Sequence, residues 1–405
     1  MLLSQSLFET MPIMRVFRLS RVSTLRFFAG VCIVAMLSLL VGACAGGNGA
    51  EVEDYQEAIY QPEYAVGFEI LGADGRQSAV IVTKAPWQGA DSLAATRLFV
   101  HRGDEPLPAN FRGQVLEGEA RRIVCMSASH VAMLDALGAV DRVVGVSGIN
   151  LVCNAKVQAR RDSIADVGYD GNIDYERLVS IGADLVLLYG VNGASGMEGK
   201  LRELGISFMY VGEYLEESPL GKAEWLVALS EVVGKRKDGQ AVLHAIPQRY
   251  DHLKAIATTA TERPRVMINT PYGDSWVMAS TDSYVARLIR DAGGDYIYKE
   301  NTSRQSLPVS MEQAYQLTSS ADVWLNVGQT TSLAELLRLL PKFAGTKPVV
   351  SGQVWNTILR ATPSGANEYW ESASIHPDLV LQDLILIFHP DLLPSAPFTY
   401  YKNLQ

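Results

Sequence analysis

Histidine and cysteine spacing gives the first test for metal or hydrolytic chemistry, because these side chains supply most zinc ligands and many catalytic bases. The histidines are His101, His130, His244, His252, His376 and His389. No two of them have the spacing of a zinc motif, and the four cysteines include no Cys-x-x-Cys pair. The sequence therefore offers no metal site and no nucleophile with a base beside it.

Three glycine-rich segments fall short of known catalytic or nucleotide-binding motifs. Residues 190–196 lack the dinucleotide-binding spacing, and Gly199-Lys200 lacks both the earlier glycine and the following Ser or Thr of a phosphate loop. The segment 145–148 is followed by Ile149, where a nucleophile elbow requires glycine. We therefore predict that the chain is not an enzyme and holds no cofactor or metal of its own.

Composition limits the class of protein further. The chain has 405 residues with a formal charge of -9, so a large basic surface for nucleic acid is not expected. Hydrophobic residues make up 48% and charged residues 20%, which is a globular balance sufficient for two domain-sized cores. We expect a monomer that binds no nucleic acid.

The N-terminus has the pattern of an exported lipoprotein. Basic residues from Arg15 to Arg26 precede an apolar run over 27–41, which is shorter than the about 20 residues of a membrane span. The run ends in Leu-Val-Gly-Ala before Cys44, which resembles a bacterial lipobox. The alternative is a transmembrane anchor with an incidental cysteine. We predict a signal peptide at 1–43, lipidation of Cys44 and a polar tether at 44–61.

Two cysteines remain after this processing, Cys125 and Cys153. A pair in an exported protein can form a disulfide. Two free thiols are the favoured alternative, because Cys125 lies inside an apolar, strand-like run.

The mature chain divides into regions of different periodicity. Residues 62–118 are β-rich with turn residues between apolar runs, and we predict a small extension without site chemistry. Strand and helix patterns alternate over 119–234 and again over 263–405, which predicts βαβ units. A long helical stripe over 235–262 separates them and contains Pro247, which starts a second helix or kinks a continuous one. The predicted fold is α/β: two doubly wound lobes joined by one long helix, with an N-terminal β-rich extension.

Local signals within the second lobe are more specific. Ser332 and Glu335 form a capping box at a helix start. The apolar residues 348–350 predict a short strand, and residues 266–269 predict the strand that opens the lobe. Parallel sheets bind ligands beyond the carboxyl ends of their strands, so a cleft is expected where the two lobes face each other.

Five segments, in order along the chain, resemble the periplasmic iron-siderophore and vitamin B12-binding proteins. They are residues 122–148, 167–190, 219–234, 269–296 and 355–390. The resemblance implies two lobes on a rigid helix that capture a ferric siderophore, haem or cobalamin. It also implies that the protein is lipid-anchored to a membrane on its periplasmic side and delivers the complex to an ABC permease and its ATPase. The alternative is a surface lipoprotein that scavenges or stores such a complex without a permease.

The same resemblance implies permease-docking residues. Glu176 in IDYERL and Glu312 in PVSMEQAY match the family positions at which each lobe carries a glutamate. Such a pair would contact an arginine cluster on the permease and fix the orientation in which this protein docks. The alternative is a pair of solvated carboxylates favoured by the helix dipole.

Loops that follow strands, together with the motif matches, predict the residues of the cleft. They are Ser127, Ser129, His130, Asn150, Tyr169, Tyr189, Tyr272, Trp276, Arg304, Gln329, Asn356, Arg360 and Trp370. By the resemblance, Tyr169, Tyr189 and Trp276 would supply flat aromatic contacts. Core packing is the alternative for each residue. His130 could contact haem iron or hydrogen-bond the ligand, and Arg304 or Arg360 could pair with its carboxylates. The B12-binding relatives have an arginine near the position that Ser372 occupies in this sequence. The absence of that arginine disfavours cobalamin, although Arg360 could take its place.

Overall fold

The computed structural model describes residues 55–405 except Asn110, Asp170, Asn192, Asp274 and Arg304. The predicted signal peptide and Cys44 lie outside the described residues.

The described chain begins with a five-stranded sheet, here called the extension. Its strands are β1 (Glu57–Tyr60), β2 (Phe68–Gly72), β3 (Ala79–Thr83), β4 (Thr96–His101) and β5 (Gln114–Glu117). They lie in sequence order and are antiparallel except for the parallel pair β4 and β5. Alternate residues Phe68 and Ile70 of β2 are buried, as period-two patterning requires. Strand β1 falls within the segment predicted as a tether, so that prediction is wrong for Glu57–Tyr60.

The first lobe is built on a parallel sheet with helices around it. Its elements are β6 (Ile123–Cys125), α1 (Ala128–Ala136), β7 (Val143–Val146), α2 (Ala155–Gln158), β8 (Ala165–Asp166), the hairpin β9 (Gly168–Tyr169) and β10 (Asn172–Ile173), α3 (Tyr175–Ser180), β11 (Leu185–Leu188), α4 (Glu198–Glu203), β12 (Ser207–Tyr210) and α5 (Pro219–Val232). The strand order is β12-β11-β6-β7-β8. Every residue of β11 is buried, as expected for a parallel strand covered on both faces.

The linking helix α6 (Arg236–Ala257) is continuous through Pro247. Its buried face includes Leu243, Ile246 and Tyr250, which are three and four residues apart and so share one side of the helix. The helix packs against α5 of the first lobe. The Tyr250 hydroxyl also donates to Asp291 Oδ2 at 2.8 Å, in the second lobe. The two lobes are therefore joined by a helix that packs against both of them.

The second lobe repeats the α/β arrangement. Its elements are β13 (Arg265–Ile268), β14 (Trp276–Met278), α7 (Tyr284–Asp291), β15 (Asp295–Tyr296), β16 (Leu307–Val309), α8 (Met311–Ser319), β17 (Val323–Leu325), α9 (Leu333–Leu339), α10 (Lys347–Val350), β18 (Val354–Asn356), α11 (Glu368–Ser372), α12 (Pro377–Phe388) and β19 (Lys402–Asn403). The main sheet has the order β15-β13-β17-β18-β19, parallel except for β19. Strands β14 and β16 form a separate antiparallel ribbon.

Two local predictions for the second lobe have different outcomes. Residues 348–350 are helical and belong to α10, so the predicted strand is wrong; Pro348 occupies the first turn, where its missing amide costs no hydrogen bond. The predicted cap is present, because Ser332 Oγ accepts the Glu335 amide at 3.2 Å. The Glu335 carboxylate accepts from the Thr331 amide instead of completing the reciprocal box.

The two remaining cysteines are free thiols in the described structure. Cys125 is buried in β6, and Cys153 is partly buried after β7. Burial raises the pKa of both thiols well above the ordinary range, which keeps them protonated and unreactive.

Candidate functional site

A cavity of about 250 Å³, here called the interlobe cleft, is lined by residues of both lobes. The first lobe contributes Ser127, Ser129, Tyr189, Val191, Glu213, Tyr214 and Lys222. The second lobe contributes Tyr284, Tyr369, Trp370, Ala373 and Ser374.

The parallel sheet of the first lobe positions one wall of the cleft. Ser127 follows β6 closely and caps α1, with its Oγ accepting the Ser129 amide at 3.3 Å. Tyr189 follows β11 directly, and Glu213 follows β12 after two residues. Carboxyl ends of neighbouring parallel strands meet at one edge of the sheet, so these side chains converge there.

A carboxylate lies at the polar end of the cleft. Ser129 Oγ donates to Glu213 Oε1 at 2.6 Å, whereas Glu213 Oε2 has no hydrogen-bond partner among the described residues. Glu213 is only 5% exposed, and burial raises its pKa. A buried carboxylate oxygen without a partner costs about 1–3 kcal/mol or more, which a hydrogen-bond donor on a ligand would offset.

A cation lies beside this carboxylate. Lys222 Nζ donates to the backbone oxygen of Glu213 at 3.1 Å and lies 4.7 Å from the centre of the Tyr284 ring. Burial lowers the pKa of Lys222, with the nearby Glu213 carboxylate acting in the opposite direction. Because Tyr284 belongs to the second lobe, this cation–π contact crosses the cleft.

Aromatic side chains form the rest of the walls. The hydroxyls of Tyr284 and Tyr369 are hydrogen-bonded at 2.5 Å, and Tyr369 meets the Trp370 ring edge-on at 5.1 Å between centres. On the opposite wall, Tyr189 and Tyr214 are edge-on at 6.5 Å. Trp370 is 70% exposed, so an apolar face continues from the cavity toward solvent.

The lobes also touch beside the cleft. Helix α11 packs against α1, and its Glu371 carboxylate accepts the Cys153 amide of the first lobe at 2.5 Å. Glu371 is 3% exposed, and burial raises its pKa to about 7. Arg287 of the second lobe also pairs with Glu217 of the first at 3.1 Å. These contacts fix the cleft width in this conformation.

Four of the residues predicted for the cleft line it: Ser127, Ser129, Tyr189 and Trp370. Their ligand contacts stay a prediction. Arg304 lies outside the described residues.

Three other predicted residues are buried elsewhere, which corrects those assignments. Trp276 is fully buried, its Nε1 donates to the Ile268 carbonyl at 3.2 Å, and its ring stacks on Trp324 and Phe343. The β14–β16 ribbon thus turns this indole into the core. Asn356 uses its amide group to bridge two backbone carbonyls in the loop after β17.

His130 is the third buried residue. It is fully buried, with its ring beside the backbone of Leu187 in β11. Burial lowers its pKa to about 3, so the ring is neutral at any physiological pH. It does not line the cleft, so its assignment as a cleft residue is wrong for this conformation.

The remaining predicted residues are outside the cavity. Five of them are exposed to solvent: Asn150, Tyr169, Tyr272, Gln329 and Arg360. Arg360 is paired with Glu368 at 3.0 Å, and Tyr169 packs close to Gly148. A strand-end loop therefore does not suffice to put a side chain into the cleft.

Sequence reasoning missed Glu213, Tyr214, Lys222, Tyr284 and Tyr369. The first two follow β12 and obey the same strand-end rule, so a consistent application would have found them. Lys222 lies in the first turns of α5, and Tyr284 and Tyr369 lie in the first turns of α7 and α11. Only the packing of the lobes brings those helix starts to the cleft.

The predicted docking glutamates are both exposed and occupy the first turns of α3 and α8. One helical turn beyond Glu176 lies Val179, 52% exposed, and one turn beyond Glu312 lies Tyr315, 39% exposed. Residues three apart share a helix face. Each lobe thus presents a carboxylate beside an exposed apolar side chain.

Within the described part of the chain, no group of three or more His, Cys, Asp or Glu residues could hold a metal ion. None of the helices described between residues 55 and 405 has the length and apolar character of a membrane span.

Comparison with known proteins gives a consistent result. Residues 123–357 match the family described as periplasmic binding protein. An uncharacterized lipoprotein of Methanocaldococcus jannaschii is 25% identical over 314 residues, covering 73% of each chain. A periplasmic heme binding protein from Pseudomonas aeruginosa has a TM-score of 0.54 at 17% identity, covering 71% of this chain and 98% of that one. An ABC transporter substrate-binding protein from Listeria monocytogenes has a TM-score of 0.50 at 14% identity, covering 67% of this chain and 100% of that one.

The matched region begins at β6, the first strand of the parallel sheet, and ends just after β18 of the second lobe. It therefore includes strands from both sheets, the linking helix and most of the cleft residues. The chain belongs to the periplasmic binding protein family.

Proposed function

We propose that this protein is a lipid-anchored solute-binding protein that captures a ferric siderophore, haem or cobalamin in the interlobe cleft and delivers it to an ABC permease. The observation that carries the proposal is the cleft itself, with aromatic walls from both lobes and a carboxylate beside an ammonium at one end. Flat aromatic walls suit macrocycles and aryl chelates. In this scheme the ligand holds its metal, and the protein supplies shape and polar anchors.

Cavity size limits how such a ligand sits. A volume of about 250 Å³ is smaller than the roughly 300–1,000 Å³ of typical ligand pockets. The linking helix is fixed to the second lobe by Tyr250 and by Arg249, whose Nε lies 2.6 Å from Asp378. Large opening is therefore disfavoured. We infer that one edge of the ligand enters the cavity while the rest lies against the exposed face of Trp370.

The polar end gives the ligand an orientation. Lys222 offers an ammonium to a carboxylate or phenolate of the ligand, and Glu213 Oε2 offers an acceptor to an N–H or O–H group. Each group works in a partly desolvated site, where a charge-assisted hydrogen bond is stronger than in water. A chelate with both acidic and donor groups at one edge fits this arrangement.

Permease delivery is supported by the glutamate on each lobe. Glu176 and Glu312 lie in solvent beside Val179 and Tyr315, so each could pair with an arginine while the apolar neighbour packs against the permease. Membrane anchoring through Cys44 is supported by the lipobox and by the lipoprotein name of the M. jannaschii relative.

A fluorescence titration tests the ligand class. Mature protein is titrated with haemin, cyanocobalamin and ferrioxamine B while tryptophan emission is recorded. We expect saturable quenching by one of these classes and a weaker affinity in Trp370→Ala. Trp355→Phe is the matched control, because Trp355 packs on Phe398 at 5.1 Å and does not line the cleft. Absence of saturable binding by all three probes would reject the proposed ligand classes.

A further inference from the structure

The extension lies outside the residues that match the family, yet two buried carboxylates fix it to the first lobe. Glu224 of α5 is fully buried and accepts the Tyr60 hydroxyl at 2.7 Å and the amides of Tyr64 and Ala65 at 2.7 and 2.6 Å. Glu216 accepts the Gly67 amide at 2.9 Å and the indole N–H of Trp225 at 2.9 Å. These charge-assisted bonds offset the desolvation of the carboxylates, so the extension has one fixed position.

The loop after β3 reaches from the extension to the strand ends that carry the cleft wall. Thr83 Oγ1 donates to the carbonyl of Tyr210, the last residue of β12, at 3.0 Å. The half-buried Trp87 meets the Tyr210 ring edge-on at 5.4 Å. The Gln88 amide donates to the carbonyl of Gly190 at 3.1 Å, just beyond β11. The loop is therefore attached at the ends of β11 and β12, two of the three strands whose following residues line the cleft.

Gly190 is the closest point of this attachment. A Cβ at this position would lie 2.7 Å from the Trp87 Cβ and 2.3 Å from the carbonyl oxygen of Gly193. The absence of a side chain thus allows Trp87 to pack directly on the turn. The same Gly190 carbonyl accepts the Tyr214 hydroxyl at 2.8 Å. One carbonyl therefore joins the extension to a tyrosine that lines the cleft, and the next residue, Val191, lines it too.

We infer that the extension contributes to the ligand site by holding one wall of the cleft in position. Trp87 and Gln88 are the positioning residues, and they act on Val191 and Tyr214. The inference rests on the proposed function in one respect, that the ligand occupies the interlobe cleft. It differs from the expectation that the extension has no site chemistry. Because the contacts reach the wall from behind, the effect is on the placement of that wall and not on direct ligand contact.

Trp87→Ala tests the inference through hydrogen exchange and ligand affinity. We expect faster amide exchange in peptides covering residues 186–191 and 211–216, and a roughly ten-fold weaker affinity for whichever of haemin, cyanocobalamin or ferrioxamine B binds the wild type. Trp87→Phe keeps a ring against Tyr210 and is expected to restore most of both. If Trp87→Ala does not fold, Trp87→Leu, which also removes the ring that meets Tyr210, is compared with Trp87→Phe in its place.

Phe111→Ala is the matched control. Phe111 is a half-buried ring of the same extension that packs on Phe99 at 5.6 Å and is not in contact with the strand ends of the first lobe. It should lower the stability of the extension while leaving cleft exchange and affinity unchanged. Unchanged exchange in both cleft peptides of Trp87→Ala overturns the inference. Failure of the wild type to bind any probe counts against the proposed function instead. The exchange result still decides whether Trp87 and Gln88 position the cleft wall.

Discussion

Two tryptophans of the second lobe allow the core and the cleft to be separated by mutation. Trp276 is fully buried and stacks on Trp324 and Phe343, so Trp276→Ala leaves a large cavity. Such a truncation costs about 3–5 kcal/mol of folding free energy. Trp370 is 70% exposed, and Trp370→Ala should change folding by less than about 0.5 kcal/mol.

The two variants should behave oppositely in binding. Trp370→Ala removes an aromatic face of the proposed site and is expected to weaken binding about ten-fold, which is ~1.4 kcal/mol. Folded Trp276→Ala should retain wild-type affinity, because its indole is distant from the ligand surface. Urea unfolding followed by circular dichroism gives the stability, and calorimetric titration gives the affinity. Wild-type affinity in Trp370→Ala, or a wild-type unfolding midpoint in Trp276→Ala, would refute the assignment of wall and core.

Other predictions follow from single contacts. Burial raises the pKa of Glu371 from 4.5 to about 7, so its contribution to folding is present below pH 4.5 and is lost as the pH rises through about 7. Glu371→Gln should therefore raise the free energy of unfolding at pH 8 and not near pH 4, which urea melts at both values would check. Glu224→Ala should destabilise the extension by about 3–5 kcal/mol and expose it to proteolysis, whereas Glu63→Ala, which uses only its backbone amide in this contact, should not. Cys44→Ser should release the protein from membranes or leave it unprocessed; normal membrane retention would exclude lipidation.

The fold was largely predictable from sequence because its signals are local and repeated. Apolar strands such as β6 and β11, each followed by a helical pattern, specify βαβ units without tertiary information. The linking helix was predictable because an apolar stripe runs along one face through Ile246 and Tyr250, and both residues are buried. Residues 348–350 were misassigned because the β-branched Val349 and Val350 favour a strand, whereas Pro348 at the first helical turn costs no hydrogen bond.

The site was less predictable because the cleft depends on the contact between lobes. Strand ends of the first lobe predicted Ser127, Ser129 and Tyr189, which line the cavity, and their ligand contacts stay a prediction. Lys222 and Tyr284 come from helix starts, and their cation–π contact exists only after the lobes meet. Trp276 was predicted to line the cleft because it follows a turn after β13. Side chains alternate between the two faces of the antiparallel ribbon, and the register of β14 with β16 directs the indole into the core.

Cellular uptake by the Glu176→Ala/Glu312→Ala double variant decides whether the protein delivers a captured chelate to a permease. The assay follows uptake of the chelate that binds in the fluorescence titration. We predict unchanged chelate affinity with uptake reduced at least ten-fold, because both exposed docking carboxylates are removed while the cleft is intact. Glu57→Ala/Glu203→Ala, which removes two exposed carboxylates elsewhere, should leave uptake unchanged. Wild-type uptake by the docking variant, with binding intact, would contradict the importer role.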